Sequence, residues 1–141
     1  MMIVTAIEAL TDARLRVTFS GGKTQEVSVA DYLDTPGYQN LNDPELFACA
    51  TVAEWGHGVE WPGDIGIPVE ALYRLAQEQA GTAFPVELFV AWMKRNGLSS
   101  AQAAQALGLT RRTIIYYRTG AKPIPLVVGL ACTGYEALHA A

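Results

Sequence analysis

With 141 residues, 50% of them hydrophobic and 17% charged, the chain carries enough apolar material for one sizeable core or two small ones, which argues against a disordered protein. The net charge of −4 is unevenly spread. Residues 1–84 hold 4 Lys and Arg against 12 Asp and Glu, a balance of −8, while residues 85–141 hold 6 against 2, a balance of +4.

The first half begins with a strand expected near residues 3–8. Alternation then sets Leu15, Val17 and Phe19 on one side of a strand and Arg14, Arg16 and Thr18 on the other, and Ser20-Gly21-Gly22 turns the chain into a partner strand holding Val27 and Val29. Asp31-Tyr32-Leu33 reads as a short turn or helix, Thr35-Pro36-Gly37 as a loop, and Asp43-Pro44-Glu45 as the start of a short helix carrying Leu46 and Phe47. Strands are expected near residues 50–54 and 59–61, separated by a turn at Gly56-His57-Gly58. A loop through Asp64 and Pro68 leads to a helix over residues 69–79, and Gly81-Thr82-Ala83 marks a domain boundary.

In the second half a helix over residues 85–95 precedes the segment GLSSAQAAQALGLTRRTIIYYRTG, residues 97–120. Ser99 followed by Gln102 forms a capping box at the start of an Ala-rich helix. Gly108 stands where a chain leaving a helix needs a positive φ, Thr110 caps the next helix, and Leu109 and Ile114 are spaced to fill the angle between the two. A fourth helix is expected from near Pro125 toward Leu138, with His139 fraying beyond it. The expected fold class is therefore α+β: an acidic antiparallel-sheet domain with short helices over residues 1–80, then an all-α helix-turn-helix domain over residues 85–141.

Spacing and residue type across residues 97–120 resemble the helix-turn-helix of lambda-repressor-like regulators, the xenobiotic-response-element family. The likeness is carried by Gly97-Leu98-Ser99, Ala104, Gly108-Leu109-Thr110, Ile114 and Gly120. It implies a recognition helix over residues 110–119 with Thr110, Arg111, Arg112, Thr113 and Tyr116 toward a DNA groove. It further implies that Ser99, Ser100, Arg118, Thr119 and Lys122 lie near phosphates, and that the protein acts on double-stranded DNA as a homodimer. Four positions depart from the family pattern. Met93 and Arg118 stand where a buried arginine and a glutamate are common, Ser100 where a glutamine is frequent, and Ile115 near a groove face that is usually polar.

Residues 10–75 resemble a small bacterial domain family of unknown function through LRVTFSGGKTQEVSV, DTPGYQNLNDPELFA and VEWPGDIGIPVEALY. That likeness implies a two-domain architecture and leaves the acidic half as a sensing, dimerising or partner-recruiting element.

Elementary electrostatics adds a separate hint. Two arginines in the first turn of a helix oppose its macrodipole, at a cost of roughly 0.3–1 kcal/mol each when exposed. Arginine is also the side chain suited to bidentate contacts with guanine and phosphate. The expected function is a sequence-specific DNA-binding transcriptional regulator. The alternative is a protein-interaction module or antitoxin-like partner whose helix-turn-helix serves assembly.

No catalytic, cofactor or metal site is expected. His57 with Glu54, Glu60 and Asp64 fits no recognised metal spacing, and GxSxG, P-loop, HExxH and dinucleotide-binding glycine patterns are missing. Cys49 and Cys132 lack a CxxC pattern and read as idle or buried thiols. Trp55, Trp61 and Trp92 read as core residues. Leu88 and Val90 leave the first helix of the second domain less polar than an exposed helix, so a cover over that face is expected. No apolar run approaches the roughly 20 residues that span a bilayer, and MMIVTAIEAL has no basic region ahead of its apolar residues, so the expectation is a cytoplasmic protein without a membrane partner.

Overall fold

The computed structural model describes residues 1–140; Ala141, the last residue of the domain expected over 85–141, lies outside them. The architecture is α+β, with two small antiparallel sheets and several helices. The chain divides into two compact units, Met1–Gln79 and Ala80–Ala141.

The first sheet contains β1 (Val4–Ala9), β2 (Arg14–Phe19) and β3 (Thr24–Ser28) in that spatial order. Register pairs Ile7 with Val17 and Leu15 with Val27. Alternation along β2 turns Leu15, Val17 and Phe19 into the core and leaves Arg14 and Arg16 on the outer face, where they meet Glu8 and Glu26. The β1–β2 turn runs through Asp12 and Ala13, both left-handed at φ 60° and 57°. Val29 lies just past β3, yet it is fully buried.

After a helical turn α1 (Pro44–Phe47), capped by the Asp43 carboxylate on the Glu45 N–H at 3.0 Å, the second sheet forms from β4 (Thr51–Val52), β5 (Gly58–Trp61) and β6 (Ile65–Pro68). Here the structure corrects the sequence in three places. The strand expected over 50–54 shrinks to two residues because Glu54–Gly56 coils into a 3₁₀ turn. The segment expected to be a loop through Asp64 and Pro68 contains β6. Gly63 and Asp64, at φ 92° and 59°, reverse the chain so that Ile65 and Ile67 bury beside Trp61 and Val59. Trp55, expected in the core, is 77% exposed with φ 61°, because the turn that carries it projects away from the sheet. Gly58 is obligatory: a Cβ there would lie 2.1 Å from the Ile67 carbonyl oxygen. The helix α2 (Val69–Gln79) closes this unit with Val69, Leu72 and Ala76 buried against the residues of both sheets.

Among its described residues the second unit contains four helices, α3 (Val86–Arg95), α4 (Ser100–Leu107), α5 (Arg111–Thr119) and α6 (Leu126–His139). An antiparallel bridge between Phe84 and Ile124, with the Phe84 N–H 2.7 Å from the Ile124 oxygen, ties its entry to the start of α6. Phe89, Trp92, Ile114 and Ile124 form the buried centre, with Met93, Ala103, Ala104 and Cys132 around them. Close approach matters at Gly129, where a Cβ would meet the Phe84 ring at 2.4 Å. His139, expected to fray, is helical. It ends α6 with Nδ1 2.9 Å from the Tyr135 oxygen and its ring stacked on Tyr135 at 4.0 Å between centroids. Among the described residues, no helix is long and apolar enough to cross a membrane.

Candidate nucleic-acid interface

Local chemistry fixes the angle between α4 and α5. The Ser99 hydroxyl accepts the Gln102 N–H at 3.1 Å while the Gln102 side-chain oxygen accepts the Ser99 N–H at 2.9 Å, so two orphan amides are satisfied at the start of α4. Gly108 ends that helix in the left-handed region at φ 70°, and the Leu109 N–H returns to the Ala104 oxygen at 2.9 Å. Thr110 caps α5 by accepting the Thr113 N–H at 3.1 Å, and its hydroxyl shares a 2.8 Å hydrogen bond with that of Thr113. Gly120, at φ 80°, ends α5. The connection between the helices is thus three residues long, and Ala103 and Ala104 supply the small buried surface on which α5 packs.

Helical periodicity then divides α5. Ile114 and Tyr117, one turn apart, face inward, and the Tyr117 ring stands edge-on to Phe89 at 5.9 Å. Burial raises the Tyr117 phenol above its ordinary pKa. On the opposite side Arg111, Arg112, Ile115 and Tyr116 line a shallow surface depression of about 390 Å³. Lys122, just beyond the helix, sets its ammonium 4.6 Å from the Tyr116 ring centre and adds a cation to the same face.

The other sequence candidates distribute around this face. Ser99 and Ser100 lie at the start of α4, the former committed to its capping box. Arg118 is exposed and Met93 is a core residue of α3. The Thr119 hydroxyl donates back to the Ile115 carbonyl at 2.8 Å, so its proton is held by its own helix. Ile115 sits centrally in the outward face, between Arg111, Arg112 and Tyr116.

The charges of this face stand open. No acidic residue occupies the first turn of α5, and among the described residues no carboxylate pairs with Arg111, Arg112, Arg118 or Lys122. The charge network of the second unit lies elsewhere. Glu136 of α6 accepts from Asn96 at 3.0 Å and from Arg95, joining the ends of α3 and α6. Its carboxyl is held below the usual glutamate range, first by the Asn96 hydrogen bond and then by Arg95. Sequence reasoning missed this network; the hint was that Glu136 is the lone acid in the last helix.

Elsewhere, Cys132 is buried and its thiol is pushed up to about 11, by desolvation and then by Glu136, while Cys49 is free and exposed. His57, Glu54, Glu60 and Asp64 are all exposed, and no three His, Cys, Asp or Glu side chains converge as metal ligands among the described residues. The first unit holds a cavity of about 810 Å³ beside the β1–β2 turn, with Leu33, Leu41 and Phe47 on its apolar side and Arg14, Arg16 and Glu26 on its polar one.

Residues 4–78 match the family described as protein of unknown function, DUF2442. The chain belongs to that family. The matched DUF2442 segment coincides with the sheet-bearing first unit. A crystal structure of a protein named as a "putative DNA binding protein", from Nitrosomonas europaea, is similar across both units. The two share 45% identity over 97% of this chain and 88% of that one, with a TM-score of 0.66. No curated protein matches the chain.

Proposed function

We propose that this DUF2442 protein is a sequence-specific DNA-binding transcriptional regulator of the cytoplasm that acts as a homodimer. Helices α4 and α5 form a helix-turn-helix of the lambda-repressor-like kind, and α5 enters the major groove. The observation that carries this is the outward face of α5, where Arg111 and Arg112 oppose the helix dipole and have no carboxylate partner among the described residues. The name of the Nitrosomonas europaea relative points the same way.

In this mechanism Arg111, Arg112 and Tyr116 reach base edges, each good bidentate contact discriminating by about 1–3 kcal/mol. Ser99, Ser100, Thr110, Thr113, Arg118, Thr119 and Lys122 lie along the phosphates and set register. Thr110 and Ser99 act mainly as helix caps, so their backbone ends rather than free hydroxyls meet the phosphate. Two copies read half-sites about one helical turn, near 34 Å, apart. The acidic first unit senses, recruits or binds a protein partner; no catalysis and no cofactor are assigned to it.

Fluorescence anisotropy of duplex DNA from the protein's own upstream region, beside a scrambled duplex, tests this. Tighter binding to the native duplex that survives near-physiological salt is expected; equal binding to both at every salt overturns it.

Ile115, apolar in the middle of the same face, favours a second reading: a protein-interaction module or antitoxin-like partner whose helix pair serves assembly. Under it, Arg111→Glu with Arg112→Glu leaves DNA behaviour unchanged and abolishes binding of a partner protein.

A further inference from the structure

Helix α6 is apolar on both sides, which a helix bordering water ordinarily is not. Its inner side carries Val128, Gly129 and Cys132, all buried, with Tyr135 and Glu136 half-buried beside them. Its outer side carries Leu126, Val127, Leu130, Ala131, Thr133, Gly134, Ala137 and Leu138, and no charged residue. Leu126 is 50% exposed, Val127 67%, Leu130 72% and Leu138 84%. The single acid of the helix, Glu136, is paired with Arg95 and Asn96 on the inner side. The one hydroxyl on the outer side, that of Thr133, bonds back to the Gly129 oxygen at 3.2 Å.

The two glycines of α6 differ in a telling way. Gly129 is required inside the unit because a Cβ would strike the Phe84 ring, whereas a Cβ at Gly134 would meet nothing within 4 Å. Gly134 lies in mid-helix, where glycine is unfavourable by roughly 0.8–1 kcal/mol against alanine, and nothing within its own unit repays that. It sits between Leu130 and Leu138, at the centre of the exposed apolar side, where the lack of a side chain lets another backbone approach.

We infer that this outer side of α6 is the seam of a homodimer, with α6 of one copy packed against α6 of the second across a two-fold axis near Leu130 and Gly134. A partner for this side must itself be uncharged and offer a ridge where α6 has a hollow; α6 has both, with Leu130 as the ridge and Gly134 as the hollow. That self-complementarity is what an isologous interface requires. The uncovered apolar surface is on the order of 500 Å², so pairing two copies removes about 1,000 Å² from water, where specific interfaces begin. The other exposed large apolar residues, Met1, Val52, Trp55, Leu88 and Val90, form no comparable row on one helix. Helix α6 packs on α3 and α4 from one side and α5 packs on the same two helices, so the seam leaves the cationic side of α5 open. The seam deepens the dimeric regulator proposed above and rests on it only for the use of two α5 helices at once.

Sedimentation equilibrium of the full chain, free of DNA, tests the seam. A dimer is expected, and Leu130→Glu, at a site already exposed, is expected to weaken self-association roughly 100-fold or more with no loss of the folded circular-dichroism signal. Gly134→Cys is expected to give an oxidised covalent dimer under mild air oxidation. A monomer at tens of micromolar, or a dimer whose association Leu130→Glu and Gly134→Leu both leave unchanged, overturns the seam, including the case in which the first unit covers α6. DNA binding is read separately. A dimer broken by Leu130→Glu in a protein that never binds its upstream duplex keeps the seam and removes the regulator; duplex binding by a protein that is monomeric throughout removes the seam and the homodimer and keeps DNA recognition.

Discussion

The two units treat their arginines in opposite ways. In the first, Arg14, Arg16 and Arg74 each meet a carboxylate, with Glu26 bridging Arg14 and Arg16 across the outer face of the sheet. In the second, among the described residues, Arg95 alone is paired, and Arg111, Arg112 and Arg118 on α5 stand open. A cation paired across strands belongs to the structure that holds it. A row of unpaired cations on one helix, beginning where the dipole disfavours them, adds nothing to folding and is available to an external anion. The arginines of the acidic first half are thus tied to neighbouring carboxylates, and those on α5 of the basic second half are not.

The comparison breaks most sharply at α5. Arg111→Glu with Arg112→Glu is expected to cost about 2–6 kcal/mol of binding to the native duplex, two contacts of about 1–3 kcal/mol each, while thermal unfolding stays unchanged or rises slightly as the first turn gains acids. Ile114→Ala, on the inner side of the same helix, reverses the pattern: about 2–5 kcal/mol of stability is lost in urea unfolding, with duplex affinity falling only in step with the folded fraction. Gly108→Ala has open space for its methyl but must hold φ 70°, so a loss of about 1–2 kcal/mol is expected in the same urea experiment.

The smallest effect concerns the closed pair of the second unit. The Glu136 carboxyl lies below its ordinary value of 4.5 in the folded state, so its stabilising contribution is present above that value and disappears as the pH falls through the lower, folded one. Glu136→Gln is therefore expected to lower the melting temperature slightly at pH 7 and not at pH 2. A larger deficit in acid than at neutrality would reverse the sign and contradict the pairing with Asn96 and Arg95.

Local chemistry made much of this molecule legible in its sequence. The caps at Ser99, Thr110, Gly108 and Gly120 are set by residues within four positions of one another, and β2 announces itself by strict alternation. What stayed hidden is set at longer range. Gly66 and Pro68 mask the alternation of Ile65 and Ile67 in β6, whose strand character comes from burial against β5. Trp55 looks like a core aromatic until the left-handed turn carries it outward. The Arg95–Glu136 pair joins residues 41 positions apart, which no local pattern records. At the candidate site, the sequence indicated the members of the α5 face but not that Lys122 would brace Tyr116, nor that the Thr119 hydroxyl would turn back on its own helix.

The most direct test of the central claim is the salt dependence of duplex binding by the unaltered protein and by the Arg111→Glu, Arg112→Glu protein, followed by anisotropy on the native upstream duplex. The account predicts that affinity for the native duplex falls steeply with salt, and that the variant binds it far more weakly at every salt and loses its preference over a scrambled duplex. Identical affinities and slopes for the two proteins would contradict it, because the open cations of α5 would then have no anion to meet on DNA.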